Sequence, residues 1–196
     1  REAVALWSRA RRRRIEWSAH EARCHAVVRR AVADLPSRRT LVVLGSGLLR
    51  DIPFDELQAA FERILLLDAV HLPPLRARLT RHPNVALLSR DISGALAWMT
   101  GEASGRRDVL RDLIEDAAVD LVISANLLSQ LPIRPEEWLE KNPRRRTGLP
   151  ENFAGRLIGW HLDDLARFRC RVCLLTDVAM EERDRDGGVL DRLDLM

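Results

Sequence analysis

The sequence predicts an α/β fold, a mostly parallel sheet covered by helices on both faces and followed by a C-terminal β-hairpin. Three observations carry this. Five short apolar runs, at Leu41 to Leu44, Ile64 to Leu67, Val85 to Leu88, Leu121 to Ser124 and Val172 to Asp177, are rich in leucine and β-branched residues. Uninterrupted runs of that kind suit strands buried on both faces. Amphipathic segments separate most of them, which is the pattern of crossover helices between parallel strands. The first run ends abruptly at Gly45-Ser46-Gly47, and glycines at a strand end let a ligand approach the backbone because no Cβ stands in the way. The second run ends in Asp68. A carboxylate at that place in a doubly wound sheet accepts hydrogen bonds from a ribose diol.

A chain of 196 residues suits one domain of ordinary size. Its charged fraction of 31% describes a globular protein, and its apolar residues form no run near the roughly 20 needed to cross a bilayer. The sequence starts at Arg1, not Met, and reads as a trimmed or renumbered piece. Three cysteines, an odd number, argue against a disulfide framework and for a reducing compartment, with the cytoplasm as the default. Cys170 and Cys173 form a lone C-x-x-C without a second pair, so no metal is expected there. The net charge of +3 is carried almost wholly by arginine, Lys141 being the only lysine. That bias weakens any inference from arginine clusters.

In chain order, residues 1 to 35 read as a helix because Leu6, Ala10, Trp17, Cys24, Val27, Ala31 and Leu35 recur at three- and four-residue steps. Arginines fill its other face, and Arg11 to Arg14 read either as a phosphate-binding patch or as a solvated face. After Gly47 the chain continues through Leu48 to Phe54, and Asp55 with Gln58 looks like a capping box. This loop is longer than a phosphate cradle, carries Asp51 and Asp55, and has Arg50 where the dinucleotide fingerprint requires its third glycine. A nucleoside ligand without a pyrophosphate fits better. A helix carrying Leu75 and Leu79 is expected after Pro73-Pro74.

Beyond the third run, Asp91 is placed to accept an adenine amine with Ile92 flanking the ring. Asp91 or Ser93 would equally cap the segment Ala95 to Met99; beside Gly45, Gly47 and Asp68, ligand contact is the favoured reading. An amphipathic helix is expected through Val109 to Ala117. Asn126, Ser129 and Gln130 follow the fourth strand and read either as lining the crevice where open α/β sheets bind ligands or as a capped turn that starts a short helix. Residues 132 to 152 hold four of the nine prolines and Arg144-Arg145-Arg146, and read as a long loop, either covering the substrate or disordered on the surface. A helix from Phe153 to Phe168 carries His161 on its apolar stripe as a partly buried, satisfied side chain. Asp186-Gly187-Gly188 marks a hairpin returning through Val189 to Leu195.

Taken together these residues resemble the class I methyltransferases that use S-adenosylmethionine, over roughly residues 20 to 195. Leu41 to Gly47 resembles that family's glycine loop, Asp68 its ribose-binding acid, and Asp91-Ile92 its adenine-binding pair. Ser124 to Pro132 resembles the segment after its fourth strand. The resemblance implies a Rossmann-like three-layer sandwich, with residues 1–37 as a helical segment packing on a cofactor-binding domain at 38–196. It implies S-adenosylmethionine held by Gly45, Ser46, Gly47, Asp68, Ala69, Asp91, Ile92 and Asn126. His71, Ser129 and Gln130 are expected to line the substrate pocket, and no catalytic residue is assigned. Three departures stand out: Val43 where the family usually has an acid, Leu49 where it has a small residue, and Ser129-Gln130 in place of a His pair. The acceptor is expected to be a small molecule, with no membrane partner. Rival readings are a non-catalytic scaffold or cofactor-binding protein of the same fold, and an RNA-directed methyltransferase or RNA binder. A nicotinamide oxidoreductase is disfavoured by Arg50 and by the absence of any tyrosine.

Overall fold

The computed structural model describes residues 14–184 and 188–194. Five strands, β1 (Thr40–Leu44), β2 (Arg63–Asp68), β3 (Val85–Ser89), β4 (Val119–Ala125) and β5 (Arg171–Leu175), pair in parallel in the order β3-β2-β1-β4-β5. The chain builds outward from β1 through β2 and β3, then crosses to the other side of β1 for β4 and β5. The strand order therefore reverses between β1 and β4, the place where open α/β sheets hold ligands beyond their strand ends.

Side chains alternate across the sheet as the two-residue period demands. Leu41, Val43, Ile64, Leu66, Leu121 and Ile123 join one apolar cluster, and Val42, Leu44, Leu65, Leu67 and Val122 join another. Helices α1 (Arg14–Ala33), α2 (Phe54–Ala60) and α3 (Pro73–Leu79) cover the first face through Cys24 and Val28, Phe54 and Leu57, and Leu75 and Leu79. On the second face lie α5 (Arg111–Ile114), through Leu113, and α7 (Phe153–Arg167), through Leu165. This is the expected three-layer arrangement, Rossmann-like in topology. A third cluster unites α4 (Leu96–Met99), α6 (Ile133–Lys141) and α7 around Met99, Leu139, Phe153 and Leu157. Strands β6 (Ala179–Arg183) and β7 (Val189–Asp194) form a separate antiparallel pair, the expected hairpin, whose turn at 185–187 lies outside the described residues.

The structure departs from the sequence reading at three places, each for a physical reason. Asp55 and Gln58 do not form a capping box: Asp55 pairs with Arg78 at 3.0 Å and Gln58 donates to Asn84 at 3.0 Å. The helix expected through Val109 to Ala117 shrinks to α5 because the Asp116 carboxylate accepts from the Ala118 amide at 2.8 Å, and such local bonds compete with helix continuation. Residues 132 to 152 are not a loop. Pro132 and Pro135 stand at the N-cap and first turn of α6, where the missing amide hydrogen satisfies no helical bond anyway. Pro143 likewise opens a 3-10 turn, and Arg146 reaches back to Glu136 at 2.5 Å. Leu6, Ala10 and Arg11 to Arg13 lie outside the described residues, as does the side chain of Arg14.

The turn after β1 is held in the left-handed region. Gly45 and Gly47 have φ of 73° and 49°, and Leu49 has 60°. At Leu49 a buried side chain in the first cluster offsets the backbone strain. A Cβ placed on Gly45 would lie 2.9 Å from Leu127 Cβ and 3.3 Å from the Ala125 carbonyl oxygen, whereas one on Gly47 would meet only the Gly45 oxygen at 3.9 Å. Both alanine variants carry the cost of positive φ, roughly 1–2 kcal/mol. Gly45→Ala adds overpacking of about 1–3 kcal/mol. Denaturant unfolding should therefore show Gly45→Ala clearly less stable than Gly47→Ala; equal losses would contradict the packing.

His161 is buried on α7, with Nε2 2.9 Å from Ser124 Oγ. Burial pushes its pKa down to about 4, Asp164 and Arg106 acting in opposite senses. Above pH ~6.5 the imidazole is neutral in both folded and unfolded chains. Between that pH and about 4 the unfolded chain takes up a proton that the folded chain does not, so stability falls with falling pH. This one group contributes up to about 3 kcal/mol of that fall. Unfolding free energies at pH 7 and pH 4.5 should diverge more in the wild type than in His161→Gln; identical pH slopes would refute a buried neutral histidine.

Candidate functional site

At the end of β1 the chain folds over the end of β2. The Gly45 and Ser46 amides both donate to the Leu67 carbonyl, at 2.9 and 3.1 Å, and the Gly47 amide donates to Asp68 Oδ2 at 2.8 Å. The glycine loop and the carboxylate that closes β2 are thus joined directly. Asp68 is partly exposed, and Ala69 and Val70 behind it are open to solvent.

Two polar side chains in these same segments are buried without a hydrogen-bond partner. They are the Ser46 hydroxyl and both ring nitrogens of His71, each residue only 4% exposed. A buried polar atom left unpaired costs on the order of 1–3 kcal/mol, and such atoms in native proteins call for an explanation. The His71 backbone carbonyl accepts from Arg76 Nε at 3.2 Å.

The other predicted site residues have partners of their own. Asp91 makes the capping contacts that the sequence offers as the alternative to an adenine contact. Its Oδ1 accepts from the Ser93 amide at 3.1 Å and hydroxyl at 2.6 Å, and its Oδ2 accepts from the Leu96 amide at 2.9 Å. Ile92 is buried in the second apolar cluster. Asn126 adopts the left-handed conformation at φ 49°, which Asn tolerates better than most residues. Its amide donates to the Leu175 carbonyl at 2.9 Å, and its Nδ2 lies 3.4 Å from His20 Nε2. Gln130 Nε2 donates to Ser129 Oγ at 3.4 Å, and Gln130 is exposed. Val43 and Leu49, two of the three departures from the resembled family, are both buried in the first cluster.

Sequence reading missed a group on α1. His20 and Cys24, one helical turn apart, meet Asp51 from the loop after Gly47: His20 Nε2 is 3.4 Å from Cys24 Sγ and 3.6 Å from Asp51 Oδ1. The available signal was a His and a Cys at the i,i+4 spacing that places both on one helix face. Burial, and then Asp51, push the Cys24 thiol up, so it is neutral as it stands. The helix also grips the loop through the Arg50–Glu21 ion pair and through His25 Nε2, 2.8 Å from the Arg50 carbonyl oxygen.

A groove of about 990 Å³ opens at the opposite edge, among Arg39, Asp120, Ile114 and Phe168. Within it Arg39 meets Asp120 at 2.6 Å and holds that carboxyl down at about 2. The groove lies at the amino ends of the strands, away from the position open α/β sheets use. The segments at the carboxyl ends of β1 and β2 are the candidate site.

No family model matches the sequence, and no curated protein matches it. Among solved structures the chain is similar to the 1,6-didemethyltoxoflavin-N1-methyltransferase of Burkholderia thailandensis with bound 1,6-didemethyltoxoflavin and S-adenosylhomocysteine. The identity is 16%, over 92% of this chain and 65% of that one, with a TM-score of 0.41. It is similar to DhpI in a complex with SAH, at 18% identity over 95% and 76% of the two chains and a TM-score of 0.38. It is also similar to DhpI in a SAM-HEP complex, at 17% identity over 96% and 78%, with a TM-score of 0.38. The chain spans 65% of the length of the first of these. Likenesses this distant decide neither fold nor function, which rest on the strand order and the loop geometry.

Proposed function

We propose that the protein binds S-adenosylmethionine at the carboxyl ends of β1 and β2 and transfers its methyl group to a small-molecule acceptor. The observation that carries this reading is the Gly47 amide bonded to Asp68, which unites the glycine loop and the acidic residue of the resembled family in one corner. The residues present fit such a ligand. A Cβ at Gly47 would meet only open space and one carbonyl, so the backbone there is approachable. The buried, unpartnered Ser46 hydroxyl and His71 ring would gain partners from a polar ligand. The loop also suits a nucleoside better than a nucleotide, because Asp51 and Asp55 would repel phosphate.

In this reading Asp68 accepts from the ribose hydroxyls, and the backbone from Gly45 to Gly47 follows the ligand closely, with Ala69 at its side. Asp91 and Ile92 set the shape of the adenine end, with Asp91 sharing its oxygens between helix α4 and the ligand. Asn126 closes the corner from β4, and Ser129, Gln130 and His71 face the acceptor. The bound cofactor supplies a sulfonium methyl already activated for in-line displacement, so the chain's task is to orient an acceptor and exclude water, and a dedicated base is not required. The expected setting is the cytoplasm.

A second reading, a cofactor-binding or scaffold protein without transferase activity, is favoured by the buried apolar Val43 and the bulky left-handed Leu49. Of the arginines an RNA-directed role would use, Arg146 is engaged by Glu136, and Arg11 to Arg13 lie outside the described residues. Calorimetry with S-adenosylmethionine and S-adenosylhomocysteine tests the cofactor site against the scaffold reading, and methyl release from the bound cofactor in the presence of candidate acceptors separates a transferase from a cofactor binder. Removing a charged contact costs about 1.5–3 kcal/mol, so Asp68→Ala should weaken binding more than tenfold. A folded wild type that binds neither compound would overturn the proposal and favour the scaffold.

A further inference from the structure

We propose that His20, Cys24 and Asp51 form a site for one borderline-soft divalent cation, Zn²⁺ being the expected ion, at the seam between α1 and the glycine loop. The proposal uses none of the residues assigned to the cofactor as ligands, and it stands whether or not the methyltransferase reading does. Among the described residues this is the group in which one His, one Cys and one Asp ligand atom all lie within 4.8 Å of one another.

The distances match a coordination polyhedron. Tetrahedral zinc with Zn–N and Zn–O near 2.0–2.2 Å and Zn–S near 2.3 Å has ligand–ligand edges of roughly 3.3–3.6 Å. His20 Nε2 stands 3.4 Å from Cys24 Sγ and 3.6 Å from Asp51 Oδ1. A small turn of the Asp51 side chain, which sits on a loop, shortens the remaining edge.

A hydrogen-bond network accounts for this convergence less well. A ring nitrogen carries either one proton or one lone pair, yet Nε2 of His20 faces three heteroatoms, those of Cys24, Asp51 and, at 3.4 Å, Asn126. One ion at the centre serves them together. The fourth position is left for an exchangeable ligand beside Asn126, the pattern of zinc sites with three protein ligands. Access is open, since the side chains of His20 and Asp51 are 44% and 33% exposed, while Cys24 is buried.

The donor set selects the ion. One sulfur, one imidazole nitrogen and one carboxylate oxygen suit Zn²⁺ or Co²⁺ and disfavour the hard cations Mg²⁺ and Ca²⁺. Charge balances as well: thiolate and carboxylate offset the divalent ion, the imidazole binds neutral, and the Cys24 proton passes to solvent. The site would tie α1 to residues 45–51 with coordinate bonds where the described contacts are a few hydrogen bonds and ion pairs.

The test is titration of the chelator-stripped full chain with Co²⁺, then Zn²⁺, in the absence of any methyl donor. The expected result is uptake of one Co²⁺ per chain with a sulfur-to-cobalt charge-transfer band and tetrahedral visible bands, both lost on adding one equivalent of Zn²⁺. Cys24→Ser should abolish the charge-transfer band, and His20→Ala and Asp51→Asn should each weaken uptake by at least about tenfold. Cys170→Ser and Asp68→Ala should leave uptake unchanged. Absence of stoichiometric uptake by the folded wild type, or a charge-transfer band that survives Cys24→Ser, would overturn the proposal.

Discussion

The carboxyl edge of the sheet depends on how β1 ends. The Leu67 carbonyl receives two amides, from Gly45 and Ser46, and the next amide, from Gly47, goes to the Asp68 side chain. That arrangement turns the chain over the end of β2 within three residues, which requires positive φ at both glycines and close approach of Gly45 to Leu127. The local geometry of one strand end thereby fixes a glycine loop from β1, a carboxylate from β2 and the segment after β4 in a single corner. The reversal of strand order between β1 and β4 leaves that corner at the crevice of the sheet.

Helix α1 is the second constraint. Cys24 and Val28 seal the first face of the sheet, while His20, Glu21 and His25 reach the residues that follow the glycine loop. One face of one helix thus contributes both to the core and to the wall beside the candidate site. On the other side of the sheet, the Arg106–Asp164 ion pair is buried at Asp164, and Arg167 adds a second contact to the same carboxylate at 3.1 Å. That network joins the segment after β3 to α7, and it lies next to a histidine that burial keeps neutral.

Much of the architecture was legible because its cause is local. The five strands are apolar runs bounded by turn residues, and their observed limits differ from the sequence reading by a few residues at most. Helix α6 was not legible, since Pro132 and Pro135 read as helix breakers unless their place in the first turn is known. Asp55 was misread because its tertiary partner, Arg78, replaces the expected cap. The glycines and Asp68 were legible as strand-end residues. Asp91 was ambiguous by nature, since one carboxylate just past a strand can cap, bind or do both, and the three amide and hydroxyl donors around it show the capping role. Of the His20, Cys24 and Asp51 group only the His20 and Cys24 spacing was a local signal, because its third member comes from another segment that only the folded sheet brings near.

The most direct test of the ligand corner is a titration of the isotope-labelled protein with S-adenosylhomocysteine followed by backbone amide NMR. The largest shifts are predicted at Ser46, Gly47 and Asp68, with the Gly47 amide responding as Asp68 exchanges a backbone donor for the ribose. Shifts confined to the opposite groove around Arg39 and Asp120, or none at saturating ligand, would contradict the account.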